Sequence, residues 1–135
     1  MAGPVIEIRE VLTGPPPQGD VGKGLLLRTD RGDIAAILHE ALGSRRAVVW
    51  VCGARGGFGG PAQGMFGRMA EAFQTRGITS VRLDYRQPNV LSECVLDLLA
   101  AIAFCKAAGY DPVVLGGHSF GGAVVIAAGV ASSHV

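Results

Sequence analysis

Short apolar runs alternate with helix-like segments after residue 46, and this alternation restricts the fold more than any other feature. Residues 47–51 form a continuous apolar run that leads into glycine-rich sequence, as expected of a strand buried on both faces. Residues 78–83 and 113–115 predict two further strands, and the apolar spacing in residues 61–77 and 91–109 predicts helices between them. Asn89 is the expected N-terminal cap of the second helix. Such an alternation predicts parallel strands joined by right-handed crossovers, with helices on both faces of the sheet.

The first part of the chain adds an antiparallel hairpin. Two apolar runs, residues 25–29 and 34–38, flank the turn sequence DRGD at residues 30–33. Residues 5–12 predict a short strand, and the proline-rich residues 13–19 predict a connector, because proline lacks the N–H that a sheet ladder needs. The expected fold class is therefore α/β, with a mixed, mostly parallel sheet whose antiparallel strands lie at one edge.

Composition excludes several classes of protein. A chain of 135 residues with 49% hydrophobic and 17% charged residues is too apolar for a disordered segment and has the size of one domain. Its 12 basic and 11 acidic residues form no basic cluster, so we expect no nucleic-acid partner. We also expect no signal peptide and no membrane span, because charges interrupt residues 1–10 and the apolar residues 123–131 are too few to cross a bilayer. The three cysteines lack the spacing of a disulfide framework or a zinc site, which favours a cytoplasmic protein without bound metal.

The third strand of the alternating region leads into a G-x-S-x-G sequence. Residues 113–122 are VVLGGHSFGG, followed by small residues that predict a helix up to residue 131. The bare motif is weak because glycine is frequent in this chain, but its position between a buried strand and a helix is typical of a nucleophile elbow. At such a sharp turn the serine is strained and exposed, and the residues two before and two after it have no room for a Cβ. Gly117 and Gly121 meet this requirement around Ser119.

With this motif, residues 25–135 resemble the α/β-hydrolase family, and the compact layout is similar to its small, dienelactone-hydrolase-like members. The resemblance implies that Ser119 is the nucleophile and that the backbone N–H of Phe120 is one oxyanion donor. It also implies a second donor after the first alternating strand, where Ala54 is the best match in the sequence CGARGG of residues 52–57. Cys52 stands where many members have histidine, and we expect it to be a buried structural thiol. The implied reaction is hydrolysis of a small ester, thioester or lactone through an acyl-enzyme, without a metal or an organic cofactor.

The catalytic acid and base of that family are not found in this chain. They follow the serine in the order acid, then histidine, and only 16 residues follow Ser119. His118 adjoins the serine and is expected to pack at the elbow, His39 is expected to be solvated or packed, and His134 would lie about 20 Å along the helix from the elbow. Asp84 is expected to cap a loop or to pair with a neighbouring arginine. We therefore expect a single domain over residues 1–135 that is truncated after the elbow helix and prone to self-association.

Two alternatives belong to other functional classes. Residues 57–62 satisfy the dinucleotide-binding pattern G-x-G-x-x-A before a helix, and Asp84 ends the next strand; tight NADH binding would favour that interpretation. The second alternative is a hydrolase-like binding module or an inactive fragment. Acyltransferases and haloperoxidases use the same elbow, so the resemblance is compatible with those reactions as well.

Overall fold

The computed structural model describes residues 5–133 and 135. Within these residues the element order is β-β-β-β-α-β-α-β-α. The strands are β1 (Ile8–Gly14), β2 (Lys23–Thr29), β3 (Gly32–His39), β4 (Ala47–Val51), β5 (Thr79–Leu83) and β6 (Val113–Gly117). The helices are α1 (Pro61–Gln74), α2 (Leu91–Ala107) and α3 (Phe120–Ala131).

The strands form one mixed sheet in the order β1-β2-β3-β5-β4-β6. β4 lies between β5 and β6 and pairs in parallel with both, whereas β5 is antiparallel to β3. β1, β2 and β3 form an antiparallel meander at one edge. The predicted mixed sheet is confirmed, with its parallel strands all after residue 46. Its antiparallel part is larger than the hairpin alone, because β1 also pairs with β2 along most of its length, and three of the five described pairings are antiparallel.

Helices cover both faces of the sheet, as the alternating pattern predicts. α1 packs against β5 and β3. α2 and α3 pack on each other and on the parallel strands. Alternation along β4 separates the two faces, because Trp50 contacts α1 through Phe66 and Phe73, whereas Val49 and Val51 belong to the core beneath α2. No helix among the described residues is long and apolar enough to span a bilayer.

The sheet face beneath α2 and α3 is the apolar face of the molecule. Its fully buried side chains come from the antiparallel strands, the parallel strands and the helices alike, so one core joins both parts of the sheet. Burial of each such aliphatic side chain stabilises the fold by about 1.5–3 kcal/mol. The largest of them are Leu27, Ile34, Val49, Val51, Val81, Leu83, Leu98, Ile102, Val113 and Val124.

The face beneath α1 is the polar face, which we define by His39, Trp50, Ser80 and Arg82. The Trp50 indole N–H donates to the Ser80 hydroxyl at 3.1 Å. Arg82, with a side chain only 3% exposed, donates to the carboxylate of Asp20 at 2.8 Å and to Nε2 of His39 at 3.1 Å. A charge buried this deeply is tolerated only with such partners.

Two helix starts differ from the sequence-based expectations. In α1, Ala62, Gln63 and Gly64 have positive φ, so the right-handed helix begins only after Gly64 and not at Pro61. The Arg68 guanidinium donates to the Ala62 and Gln63 carbonyls and so satisfies two acceptors of this irregular turn. At α2, the predicted cap Asn89 was wrong: the cap position is Val90, and Asn89 has a φ of 68°, a left-handed conformation that asparagine tolerates.

Candidate active site

Ser119 lies at the tip of the turn that joins β6 to α3. Its backbone has φ 58° and ψ −120°, a strained conformation for a residue with a Cβ, and the residue is exposed. The turn is closed by two hydrogen bonds, from the Gly121 N–H to the His118 carbonyl and from the Gly122 N–H to the Ser119 carbonyl, each 2.9 Å long. The fold thus holds the Ser119 hydroxyl outside the sheet at the start of a helix.

The two flanking glycines are explained by close backbone contacts. A Cβ at Gly117 would lie 2.4 Å from the Gly121 carbonyl oxygen, and a Cβ at Gly121 would lie 2.5 Å from the carbonyl oxygen of Cys52. Real Cβ atoms do not approach other atoms to within 3.0 Å, so a larger residue at either position would push α3 away from the strands. The position of Ser119 therefore depends on direct contact between α3 and the end of β4.

The loop after β4 lies beside the serine because β4 and β6 are parallel neighbours. Val51 is paired with Gly117, so both strands end at the same level of the sheet. The loop begins with a turn in which the Gly56 N–H donates to the Gly53 carbonyl at 3.0 Å. A Cβ at Gly53 would be 3.9 Å from the Cβ of Ser119, which shows how closely the loop approaches the elbow.

A cavity of about 390 Å³ opens between this loop and the elbow. Three other clefts of about 420, 420 and 410 Å³ lie elsewhere on the surface, so volume alone does not select a site. The cavity beside the elbow differs because an exposed serine on a strained turn lines it. Other lining residues include Ala54, Arg55, Gly60, Pro61 and His118.

Two residues near Ser119 have backbone N–H groups that their own helix or turn does not use. Phe120 is the first residue of α3, so its N–H has no acceptor within the helix. Ala54 occupies a central position of the turn that Gly53 and Gly56 close, where the N–H is not used by the turn itself. The N-terminus of α3 adds a partial positive charge at the same place. This arrangement suits an oxygen atom that gains negative charge.

Asp84 fixes the second half of the loop. Its carboxylate accepts a hydrogen bond from the Gly57 N–H at 2.8 Å, and a Cβ at Gly56 would lie 2.9 Å from the same oxygen. Asp84 was expected either to cap a loop or to pair with a neighbouring arginine. The structure shows the loop contact, and the neighbouring Arg86 binds Asp97 instead. The dinucleotide interpretation loses support here, because the carboxylate that it needs for a ribose already holds Gly57 and the glycines start several residues beyond β4.

Tyr85 connects the loop to the elbow, and sequence reasoning did not find it. Its hydroxyl donates to the Cys52 carbonyl at 2.8 Å, and its ring meets the Phe120 ring edge-on with centroids 6.1 Å apart. Burial raises the pKa of Tyr85 well above its ordinary value, so the hydroxyl remains a donor at neutral pH. The available signal was an aromatic residue with a polar tip directly after a strand that ends at the site.

Arg86 and Asp97 form a buried pair that shapes the segment after β5. The backbone N–H of Arg86 donates to Asp97 Oδ2 at 2.8 Å, and its guanidinium donates to Oδ1. Desolvation raises the pKa of Asp97, and the hydrogen bonds from Arg86 oppose that shift. Asp97 is the one acidic residue inside the apolar stretch of α2, and this isolated charge was the signal for a buried partner.

The three cysteines, Cys52, Cys94 and Cys105, are free and buried. Burial raises the pKa of each thiol, which keeps it neutral and poorly nucleophilic. Among residues 5–133 and 135, no group of three histidine, cysteine, aspartate or glutamate side chains is placed to hold a metal ion.

The histidines do not form a catalytic pair with Ser119 in the described part of the chain, where no hydrogen bond joins the serine to a histidine or a carboxylate. His118 is exposed and lines the cavity, so the expectation that it packs at the elbow was wrong. His39 is 1% exposed and bonded to Arg82, as a packed histidine would be. His134 lies outside the described residues.

Comparison with known proteins gives similarity in structure only. No protein-family model matches the chain, and no curated protein matches it. Among solved structures, a cold-adapted esterase from an Arctic intertidal metagenomic library has a TM-score of 0.65 and 18% identity, over 84% of this chain and 54% of that one. A lidless α/β serine hydrolase from Xanthomonas campestris has a TM-score of 0.60 and 19% identity, over 87% and 59%.

A thermophilic esterase from the Planctomycetes species Thermogutta terrifontis has a TM-score of 0.62 and 24% identity, over 82% of this chain and 44% of that one. The chain thus spans about half the length of the solved structures that it matches.

Proposed function

Because this chain has the fold of the α/β hydrolases, we propose that it carries the nucleophile of a serine hydrolase that cleaves esters, thioesters or lactones. The observation that carries the proposal is the strained, exposed Ser119 between two glycines that have no room for a Cβ. No other serine of the described chain has a positive φ. The compact layout makes the small, dienelactone-hydrolase-like members our reference for the active site.

The reaction begins with attack of Ser119 Oγ on the carbonyl carbon of the substrate. The carbonyl oxygen becomes an oxyanion, which the N–H groups of Phe120 and Ala54 stabilise as the oxyanion hole. Removal of one such donor from a serine hydrolase typically costs about 3 kcal/mol of transition-state stabilisation. The alcohol or thiol leaves with a proton, and water then hydrolyses the acyl-enzyme to release the acid. This chemistry needs no metal and no organic cofactor, and its partner is a small acyl substrate.

The proposed reaction also needs a general base that removes the proton from the Ser119 hydroxyl. A serine hydroxyl without a general base is a weak nucleophile. We place the histidine and its acidic partner in polypeptide outside these 135 residues, in keeping with the fraction of the matched structures that the chain spans. We assign the protein to the cytoplasm, where its three buried thiols would stay reduced.

The outer edge of β6 and the neighbouring surface of α3 support a second proposal, self-association of this chain when it is alone. β6 pairs only with β4 in the described sheet, and Val114 beside this edge is 58% exposed. On α3, Ile126 and Val130 are 70% and 85% exposed. β1, at the other edge, carries Arg9 and Glu10 among its residues, which discourages pairing there. An isolated 135-residue chain that is monodisperse by light scattering would contradict self-association.

The hydrolase proposal is tested on the protein purified from its natural source. Its intact mass is first compared with the 13.9 kDa of this chain, because a larger mass leaves room for an acid and a base. A fluorophosphonate probe should then label the protein on Ser119 and inhibit hydrolysis of p-nitrophenyl butyrate. Ser119→Ala should abolish both signals, and Ser92→Ala, an exposed serine on α2, should change neither. Labelling that persists in Ser119→Ala would rule out Ser119 as the nucleophile, and a mass of 13.9 kDa without labelling would favour a binding module.

A further inference from the structure

The charged and dipolar groups at the cavity beside Ser119 favour the binding of an anion. Arg55 lines it, and no carboxylate does so in the described part of the chain. The N-terminus of α3 and the central N–H groups of the loop turn also face this region, and all of these groups favour negative charge. A ligand with an anionic group would therefore meet attraction from several directions.

Arg55 has no partner of its own within residues 5–133 and 135. No hydrogen bond or ion pair of its guanidinium occurs there, whereas Arg82 and Arg86 each bind a carboxylate, of Asp20 and Asp97 respectively. The carboxylate beside the loop, Asp84, is engaged by the Gly57 N–H. Arg55 is an exposed residue at the cavity, so its five N–H donors are free to bind an external acceptor, in a planar fork that matches a carboxylate.

The position of Arg55 relates it directly to the reacting bond. It follows Ala54, whose N–H we assign to the oxyanion hole, and both belong to the turn that the Gly53 and Gly56 bond closes. Gly53 in turn approaches the Ser119 side chain. An anion bound by Arg55 would therefore lie within one side-chain length of the scissile carbonyl group.

We propose that Arg55 selects acyl substrates that carry a carboxylate near the scissile bond. This inference rests on the proposed hydrolase function and names its substrate class. Arg55 acts as a specificity-determining residue: it binds the anionic group equally in the ground state and the transition state, so it lowers KM for anionic substrates and leaves kcat nearly unchanged.

The test uses the naturally purified protein and its variants with two matched pairs of esters. The first pair is the p-nitrophenyl monoester of adipate and p-nitrophenyl hexanoate, which have acyl chains of equal length and differ in the terminal carboxylate. The second pair is 4-acetoxybenzoate and its methyl ester, which place the charge on the leaving group. We expect kcat/KM to be about tenfold higher for the anionic member of at least one pair, mostly through KM, and the preference to fall in 0.5 M NaCl.

Substitution of Arg55 distinguishes its role from general effects of charge. Arg55→Gln should bring the kcat/KM ratio of the anionic to the neutral ester close to one, whereas Arg55→Lys should retain part of the preference. Arg76→Gln, at an exposed arginine between α1 and the start of β5 and thus at the other end of the strands from Ser119, serves as the control and should keep the full preference. Circular dichroism should show the same fold for all three variants.

The outcomes separate this inference from the function on which it rests. Hydrolysis of the neutral esters without an anionic preference, or a preference that survives Arg55→Gln, would overturn the role of Arg55 and leave the hydrolase intact. Failure to hydrolyse any of the four esters, together with absent fluorophosphonate labelling, would overturn the hydrolase proposal and this inference with it.

Discussion

The two faces of the sheet are built on different principles. Beneath α2 and α3 the buried side chains are aliphatic, and they join strands of both parts of the sheet into one core. Beneath α1 the sheet carries Arg82 and His39, which are buried and bonded to each other, and Arg82 also binds Asp20. Arg82 also reaches the Phe58 carbonyl, in the loop after β4, at 3.4 Å.

The two faces therefore contribute differently: the apolar face mainly to the stability of the fold, and the polar face to the geometry of the site. The apolar face stabilises the fold through buried area, which is tolerant of small shifts in geometry. The polar face uses directional contacts, and these tie the sheet to Asp20 in the connector before β2 and to the loop beside Ser119. The consequences of substitution should therefore differ in kind between the two faces.

The largest expected effect is on the apolar face. Leu98→Ala removes a side chain with no exposed surface and leaves a cavity, so we expect the free energy of unfolding to fall by about 3 kcal/mol in urea denaturation. Leu42→Ala is the matched control, because Leu42 is 88% exposed and its loss should change stability by less than about 0.5 kcal/mol. Equal losses in the two variants would contradict the assignment of this face as the stabilising core.

On the polar face, Asp20→Ala should lower the free energy of unfolding by about 2 kcal/mol, because it leaves the Arg82 cation without a carboxylate. The loss is smaller than for a fully buried pair, since the Asp20 side chain is 31% exposed and water can replace it. Asp33→Ala, at an exposed pair with Arg28, should lose well under about 1 kcal/mol. Adding Arg82→Met to Asp20→Ala should recover part of the stability; no recovery would mean that the lost energy does not come from the isolated charge.

Tyr85 belongs to the apolar core and also forms a directional contact with the site. Tyr85→Phe keeps the ring and removes the donor to the Cys52 carbonyl, so we expect a loss of about 1 kcal/mol and slower fluorophosphonate labelling of the natural protein. Tyr110→Phe is the control: its hydroxyl accepts from Thr79 at 3.1 Å at the opposite end of the sheet. Similar labelling rates in both variants would show that Tyr85 stabilises the fold without positioning the loop.

The smallest effect concerns pH and arises from His39 on the polar face. Burial, and next the charge of Arg82, lower the pKa of His39, while Glu71 and Asp20 raise it by less. The unfolded chain therefore binds a proton first as the pH falls below about 6.5, and stability decreases over that window. His39→Gln keeps an acceptor for Arg82 and should flatten this dependence in urea denaturation between about pH 7 and pH 5. An unchanged slope in His39→Gln would assign the pH dependence to other groups.

Much of the fold follows from local patterns in the sequence. The parallel strands, the hairpin and the helices depend on periodic apolar residues, and the elbow depends on a motif with a local steric reason at Gly117 and Gly121. β1 lies at Ile8–Gly14 and not at the expected residues 5–12, so it extends into the expected connector of residues 13–19. Its limits were hard to predict because its residues are mostly exposed and its pairing with β2 is a long-range contact.

The polar contacts could not be predicted because they join residues far apart in the chain. Arg82 is a charged residue within the strand predicted at residues 78–83, and its partners Asp20 and His39 lie in segments with no distinguishing pattern. The same holds for Tyr85 and Cys52. The start of α1 was also misplaced, because the left-handed turn at Ala62 is fixed by Arg68, a contact that residue preferences do not indicate.

The strand order has a consequence for biosynthesis. β4 is paired on both sides with strands that are translated after it, and Ala47 meets its partner Val113 only after 66 further positions. At 5–20 residues per second the ribosome needs roughly 3 to 13 seconds for that interval. During this time the sequence AVVWV has an unsatisfied edge and exposed apolar side chains. The strand that supports the loop beside Ser119 thus stays incompletely paired during synthesis until β6 has been made.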